Sequence, residues 1–300
     1  MTGRSPAGSF QGVSQLLIAQ LTDSHVVVPG TDEELFVDNN ERLASAVRQV
    51  NRESPQMSAV LATGDLTNWG RPAEYEALAS LLGPITVPVL PIPGNHDDRN
   101  LLRATFPDLP WVDAAHASWS TTVDAPDAPS VRIVGLDTSI PGEAGADFDA
   151  EREEWLRTTL AERSDAPTIL AMHHPPFISG IDWMDGSGFV GLDRLAMVLA
   201  EFPVDRIVCG HLHRPITSTI AGIPAQVGIS TVQHTHLDLT ADTGVSMIRE
   251  PVGYQILRIS GSGIVVHTRY TESDESPFVP KWAAEFMRER RAALPDSRRG

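Results

Sequence analysis

The sequence predicts an α/β sandwich with its helices outside the sheets, and three features predict it. Apolar runs alternate with amphipathic segments over the first third of the chain. Later apolar runs are separated by short, turn-rich breaks, as antiparallel strands are. Five of the apolar runs also end in clusters of Asp, Asn and His.

The elements follow in order. "QLLIAQL" (15–21) is a buried strand, and "DNNERLASAVRQVNRE" (38–53) is a helix with Leu43, Val47 and Val50 on one face. "MSAVLATG" (57–64) is the second strand. The helix after it has Pro72 in its first turn and stops at Gly83. Ile85 to Leu90 is the third strand. "SWSTTVD" (118–124) and "SVRIVGLD" (130–137), split by "APDAP", form an antiparallel pair, so the sheet is mixed. A helix near 151–162, the strand "PTILAMHH", a helix near 192–201 and the strand "DRIVCGHLH" come next. "ITSTIAG" pairs with "IPAQVG", and "YQILRIS" and "GIVVHTRY" close the sheets around a Gly-Ser-Gly turn. The expected organisation is a flexible segment 1–14, a single domain over 15–270, and a polar, then basic, extension 271–300 with a surface helix.

Composition excludes several classes. The 23 basic and 39 acidic side chains give a net charge of −16, which opposes long-range attraction of nucleic acid polymers or an anionic membrane. Cys209 is the only cysteine, so neither an intrachain disulfide nor a thiolate metal cluster can form, and a reducing cytoplasm is expected. No apolar run approaches the ~20 residues that span a bilayer, and no signal-peptide pattern opens the chain.

The chemistry collects at strand ends, in "LTDSH", "ATGD", "PGNHDD", "AMHHPP" and "CGHLH". In open α/β sheets ligands bind beyond the carboxyl ends of the strands, so loops remote in sequence can converge there. Asp23 and His25, like His211 and His213, stand two apart, a spacing that points both side chains to one side of an extended segment. Carboxylate oxygen with neutral imidazole suits Mn, Fe, Co or Zn better than calcium.

These five blocks, D-x-H, G-D, G-N-H-D, H-H-P-P and G-H-x-H in that order, resemble the calcineurin-like metallophosphoesterase superfamily. "GDLTNWGRPAEY" and "IPGNHDD" resemble most its class III cyclic nucleotide phosphodiesterases and bacterial glycerophosphodiesterases. The resemblance implies a four-layer α/β/β/α sandwich of two mixed sheets flanked by helices, the metallo-dependent phosphatase fold. It also implies two divalent cations. Asp23, His25, Asp65 and His213 would hold one and Asp65, Asn95, His173 and His211 the other, with Asp65 bridging. His96 would act as proton donor or phosphate stabiliser, and the H-x-P pattern favours His173 over His174.

The implied activity is hydrolysis of small phosphodiesters, cyclic nucleotides or glycerophosphodiesters, by metal-hydroxide attack on phosphorus. Two divalent cations, two aspartates and one hydroxide leave one positive charge, matched to a phosphodiester's single negative charge. Segments 141–149, 177–189 and 235–251 read as loops that shape the pocket or a contact between copies, and the resemblance allows a homo-oligomer. The alternatives are a phosphomonoesterase of the same fold and a non-catalytic metal-binding scaffold. The protein phosphatases are disfavoured by "LTNWGRP" after Asp65, and the iron-tyrosinate phosphatases by Asn68.

Taken alone, each polar residue has a plainer reading. Asp97 and Asp98 read as caps of a helix beginning near Arg99. Asn68 is either a cap or a substrate contact. His234 and His236 read as loop or supporting groups, and His116 and His267 as ordinary surface or strand residues.

Overall fold

The computed structural model describes residues 14–31, 38–53, 56–162, 164–241 and 244–271, with positions 279, 280, 283 and 288. The expectations for residues 1–13 and for the rest of the tail beyond 271 lie outside the described residues.

The chain begins as β1 (Gln15–Leu21), α1 (Asn39–Val50), β2 (Ala59–Thr63), α2 (Pro72–Leu82), β3 (Val89–Ile92) and α3 (Arg99–Thr105). It continues through β4 (Trp119–Val123), β5 (Val131–Leu136), β6 (Ser139–Ile140), β7 (Glu143–Asp147), α4 (Ala150–Ala161) and β8 (Thr168–Met172). Then come α5 (Asp182–Asp185), β9 (Phe189–Val190), α6 (Leu192–Glu201), β10 (Arg206–Cys209), β11 (Ile216–Ile220) and β12 (Ile223–Val227). It ends with β13 (His234–Thr235), β14 (Met247–Ile248), β15 (Gly253–Ser260) and β16 (Gly263–Tyr270).

Two mixed sheets carry the fold, one in the order β16-β15-β1-β2-β3 and one in the order β11-β12-β10-β8-β5-β4. Alternation along each strand builds the layers. In β1, Leu17, Ala19 and Leu21 join a core with Leu43, Val47 and Val50 of α1 and Leu78 of α2. Leu16 and Ile18 face the other way and pack against Trp119, Ile133 and Ile169 of the second sheet. In β8, Leu170 and Met172 meet Leu156 of α4 and Leu195 and Val198 of α6. The result is the four-layer α/β/β/α sandwich, and a one-residue register slip would turn each apolar face inside out.

The parallel strands β1, β2 and β3 and β5, β8 and β10 point their carboxyl ends to one edge. Gln20 ties the two sheets together there, its buried amide donating to Thr63 Oγ1 at 3.0 Å and to the Cys209 carbonyl at 2.9 Å.

Several expectations are corrected. The third strand lies at Val89–Ile92 rather than 85–90, because its pairing with β2 begins at Val60–Val89. Pro91 is accommodated because β3 is an edge strand. The segments read as loops contain β7, α5, β9 and the β13–β14 pair, most of them too short to show periodicity. His116 is buried, with Nδ1 2.7 Å from Ser118 Oγ and its ring edge-on to Trp155, rather than at the surface. No helix among the described residues is long and apolar enough to cross a membrane.

Candidate metal centre

The loops leaving β1, β2, β3, β8 and β10 meet at that common edge. Backbone bonds lock them: Asp23 N–H donates to the Gly64 carbonyl at 3.1 Å, and Gly210 N–H to the His173 carbonyl at 2.9 Å. The strand ends turn sharply. Of the eight non-glycine residues with positive φ among the described residues, five are Asp23, His25, Asp65, His211 and His213, with φ between 41° and 71°. Such backbone costs about 1–3 kcal/mol per residue and persists where the surroundings over-determine it.

Asp23, His25, Asp65 and His213 each offer a donor atom within 4.8 Å of the others, and His173, His174 and His211 form a second such group. Asp65 lies between them, with Oδ2 3.7 Å from His25 Nε2 and 3.3 Å from His173 Nε2. Its Oδ1 accepts the His96 N–H at 2.9 Å. Asp23 Oδ1 accepts the His211 N–H at 2.9 Å and stands 3.6 Å from His213 Nε2. Asn95 Oδ1 is 3.2 Å from His211 Nδ1, which brings Asn95 to the second group. All eight residues expected from the sequence therefore meet in one place.

The fit to two cations can be tested on the atoms present. The Nε2 atoms of His173 and His174 are buried without a hydrogen-bond partner. His173 Nδ1 donates to the Thr63 carbonyl at 2.8 Å, and His213 Nδ1 to the Gln233 carbonyl at 3.0 Å, which leaves Nε2 of each as the ring atom open to a cation. Mixed carboxylate, amide and imidazole donors are a transition-metal set. The residues fit the group.

Electrostatics separate the donors into two kinds. Burial drives His25 and His211 down to about 3, so both imidazoles are neutral and ready to donate. Burial also lowers His173, but the Asp65 carboxylate beside it outweighs this and raises it to about 9. Burial would raise Asp65, yet His173, His96 and His25 hold it well below the usual carboxylate range. Burial raises Asp23 in spite of His213 and His173.

Asp97 is a brace as well as a neighbour. Its carboxylate accepts N–H bonds from Leu66 (3.1 Å), Thr67 (3.0 Å) and Gly94 (2.9 Å), clamping the loop of Asp65 onto that of Asn95 and His96. The expected helix cap is Asp98 alone, which accepts from Asn100 and Leu101 N–H. Asn68 supports two histidines: its side-chain oxygen is 3.2 Å from His25 Nδ1 and its carbonyl accepts His96 Nδ1 at 2.7 Å. His96 Nε2 faces Asp65 Oδ2 at 4.0 Å. His234 lies outside both donor groups, with Nδ1 3.2 Å from Glu250 Oε2.

The cleft over the centre, about 350 Å³, is lined by Asn68, Ala144, Trp183, Met184, Thr235 and Met247 beside the histidines. All three segments read as loops thus reach it. Sequence reasoning ranked His174 below His173 and did not name Trp183, Met184 or Met247, for which there was no signal; the fold brings His174 together with His173 and His211.

A family model described as calcineurin-like phosphoesterase matches residues 16–215. A probable glycerophosphodiester phosphodiesterase GpdQ of Arcobacter nitrofigilis is 30% identical over 88% of this chain and 96% of its own. A probable cyclic nucleotide phosphodiesterase of Rhodopseudomonas palustris is 35% identical over 82% of this chain and 89% of its own. The crystal structure of a dimetal phosphatase from Danio rerio shares the fold, with a TM-score of 0.59 at 14% identity, covering 85% of this chain and 96% of that one.

Proposed function

From the premise that the chain belongs to the calcineurin-like phosphoesterase family, we propose that residues 15–270 form a metal-dependent phosphodiesterase acting on small diesters, cyclic nucleotides or glycerophosphodiesters. The observation that carries the reading is Asp65 lying between two groups of donors, with the Nε2 atoms of His173 and His174 buried without a hydrogen-bond partner. Relatives named for both activities support it.

In this reading Asp23, His25, Asp65 and His213 hold one cation, and Asp65, Asn95, His173 and His211 the other. When bound, two divalent cations supply Lewis acidity and an activated water. The chain does the rest. The oxygens of Asp65 and Asp23 and the neutral imidazoles fix the positions of charge, and Asp97 and Asn68 hold the donors still before substrate arrives. His96 Nδ1–H is held by the Asn68 carbonyl, so the protonated ring would pass its Nε2 proton to the departing alcohol oxygen as the P–O bond breaks, and keep Nδ1–H as the neutral imidazole. The Trp183, Met184 and Met247 side chains limit water over the centre.

A cytoplasmic setting and self-association belong to the same proposal. The lone, buried Cys209 supports the first. Turnover of metal-reconstituted protein on bis(p-nitrophenyl) phosphate, cyclic AMP, glycerophosphocholine and p-nitrophenyl phosphate tests the reading. Preference for either natural diester supports it. Preference for p-nitrophenyl phosphate overturns it in favour of a monoesterase, and two bound cations without turnover favour the scaffold.

A further inference from the structure

The short strands β13 and β14 form a wall with two faces. His234 pairs with Ile248 and Thr235 with Met247, and successive side chains of a strand point to opposite sides. Thr235 and Met247 line the cleft over the metal centre. His234 lines a separate cavity of about 570 Å³ with Arg214, Pro215, Glu250, Pro251 and Tyr270, none of which lines the cleft.

The polar groups of this cavity are only half used. Arg214 spends Nη1 on the Thr235 carbonyl and on Glu250 Oε2, both at 2.8 Å, and its Nε and Nη2 have no partner among the described residues. Glu250 spends Oε2 on Arg214 and on His234 Nδ1, and its Oε1 accepts nothing from the described residues. His234 is 4% exposed, and its Nε2 is buried without a partner. Burial holds the ring below the usual histidine value, so with Nδ1–H given to the carboxylate Nε2 is a lone pair. A donor brought by a ligand would relieve the cost of leaving that acceptor empty.

Charge and shape select the class of occupant. Arg214 and Glu250 neutralise each other, so a charged ligand meets a like charge beside every opposite one. Pro215, Pro251 and the half-exposed ring of Tyr270 offer flat apolar faces. Free donors and acceptors stand side by side between them. A flat, uncharged heterocycle with donors and acceptors along one edge meets both demands, and the volume is that of a ligand cavity for more than a single ring.

We propose that this cavity binds an uncharged purine nucleoside, its base against Tyr270 and its edge on Arg214, Glu250 and His234, and that occupancy is felt in the metal cleft. The route is short. The Gln233 carbonyl holds His213 Nδ1 at 3.0 Å, and the next residue after His213, Arg214, holds the Thr235 carbonyl. One turn therefore grips the wall on either side of His234, and a ligand that fixes Arg214 and His234 fixes the strand that carries Thr235 into the cleft.

Calorimetry on the full chain with adenosine as the probe tests the site whether or not the protein cleaves a diester. One adenosine binds per chain with a Kd below about 1 mM. Tyr270→Ala weakens binding about tenfold or more through lost stacking, whereas Tyr270→Phe, which keeps the ring, stays within about twofold. On the metal-loaded protein, saturating adenosine changes kcat or KM for bis(p-nitrophenyl) phosphate about twofold or more, and Tyr270→Ala needs correspondingly more adenosine for the same change. Absence of binding to the native chain overturns the proposal, as does equal affinity in Tyr270→Ala. Competitive inhibition that Tyr270→Ala leaves unaltered also overturns it, by placing the nucleoside in the metal cleft. Binding lost in Tyr270→Ala without any effect on native turnover upholds the site and overturns its coupling to the cleft.

Discussion

The Nε2 atoms of His25 and His213 stand 3.0 Å apart. The other ring nitrogen of each is held by an oxygen: His25 Nδ1 by Asn68 Oδ1 at 3.2 Å and His213 Nδ1 by the Gln233 carbonyl at 3.0 Å. With both Nδ1–H groups donating, two lone pairs face each other beside Asp23 and Asp65, an arrangement that a shared cation stabilises.

Asn68→Ala removes the oxygen that orients His25. Cation affinity at that site falls about 10- to 100-fold, the range for loss of a group that positions a ligand. Isothermal titration of the metal-free protein measures it, and unchanged affinity would remove Asn68 from the support of the site.

His96→Ala separates two leaving groups. On a glycerophosphodiester, whose alkoxide needs a proton, kcat falls about 10²- to 10⁴-fold, while bis(p-nitrophenyl) phosphate, whose phenolate leaves unaided, loses far less. Equal losses on both substrates contradict proton donation by Nε2.

His173 sets the pH dependence of cation binding. Its folded-state value of about 9 means that below pH 9 a proton occupies the imidazole and must leave before a cation binds. Affinity for the second cation therefore rises as pH climbs toward about 9 and levels off above it. His25 and His211, held near 3 by burial, add no dependence in that range. Calorimetry at pH 7.5 in two buffers of different ionisation enthalpy should find about one proton released by His173. Binding that is flat from pH 6.5 to pH 9 would contradict the assignment.

Gly94→Ala places a methyl group 2.2 Å from Asp65 Oδ1 and 2.3 Å from the Asp65 backbone nitrogen. The backbone atom cannot swing aside, so overpacking costs about 1–3 kcal/mol. The denaturant midpoint falls at unchanged m-value, and cation content falls with it as Asp65 is displaced.

Much of the fold was legible before the structure. β1 at 15–21 and α6 at 192–201 match their readings, because "QLLIAQL" holds the apolar run 16–19 and α6 spaces Leu195, Val198 and Leu199 along one face. The short strands β6, β9, β13 and β14 were not legible, since two residues carry no period and their pairing depends on what lies across from them.

Which donors exist, and at which strand ends they sit, can be read along the chain, because residue type and the alternation of apolar runs are local properties. The folded arrangement alone reveals that Asp97 clamps two loops, that His116 is buried, that His174 joins the second donor group, and that His96 lines two cavities. Each of those depends on partners far along the chain, brought together by the packing of two sheets, and no window of neighbouring residues contains them.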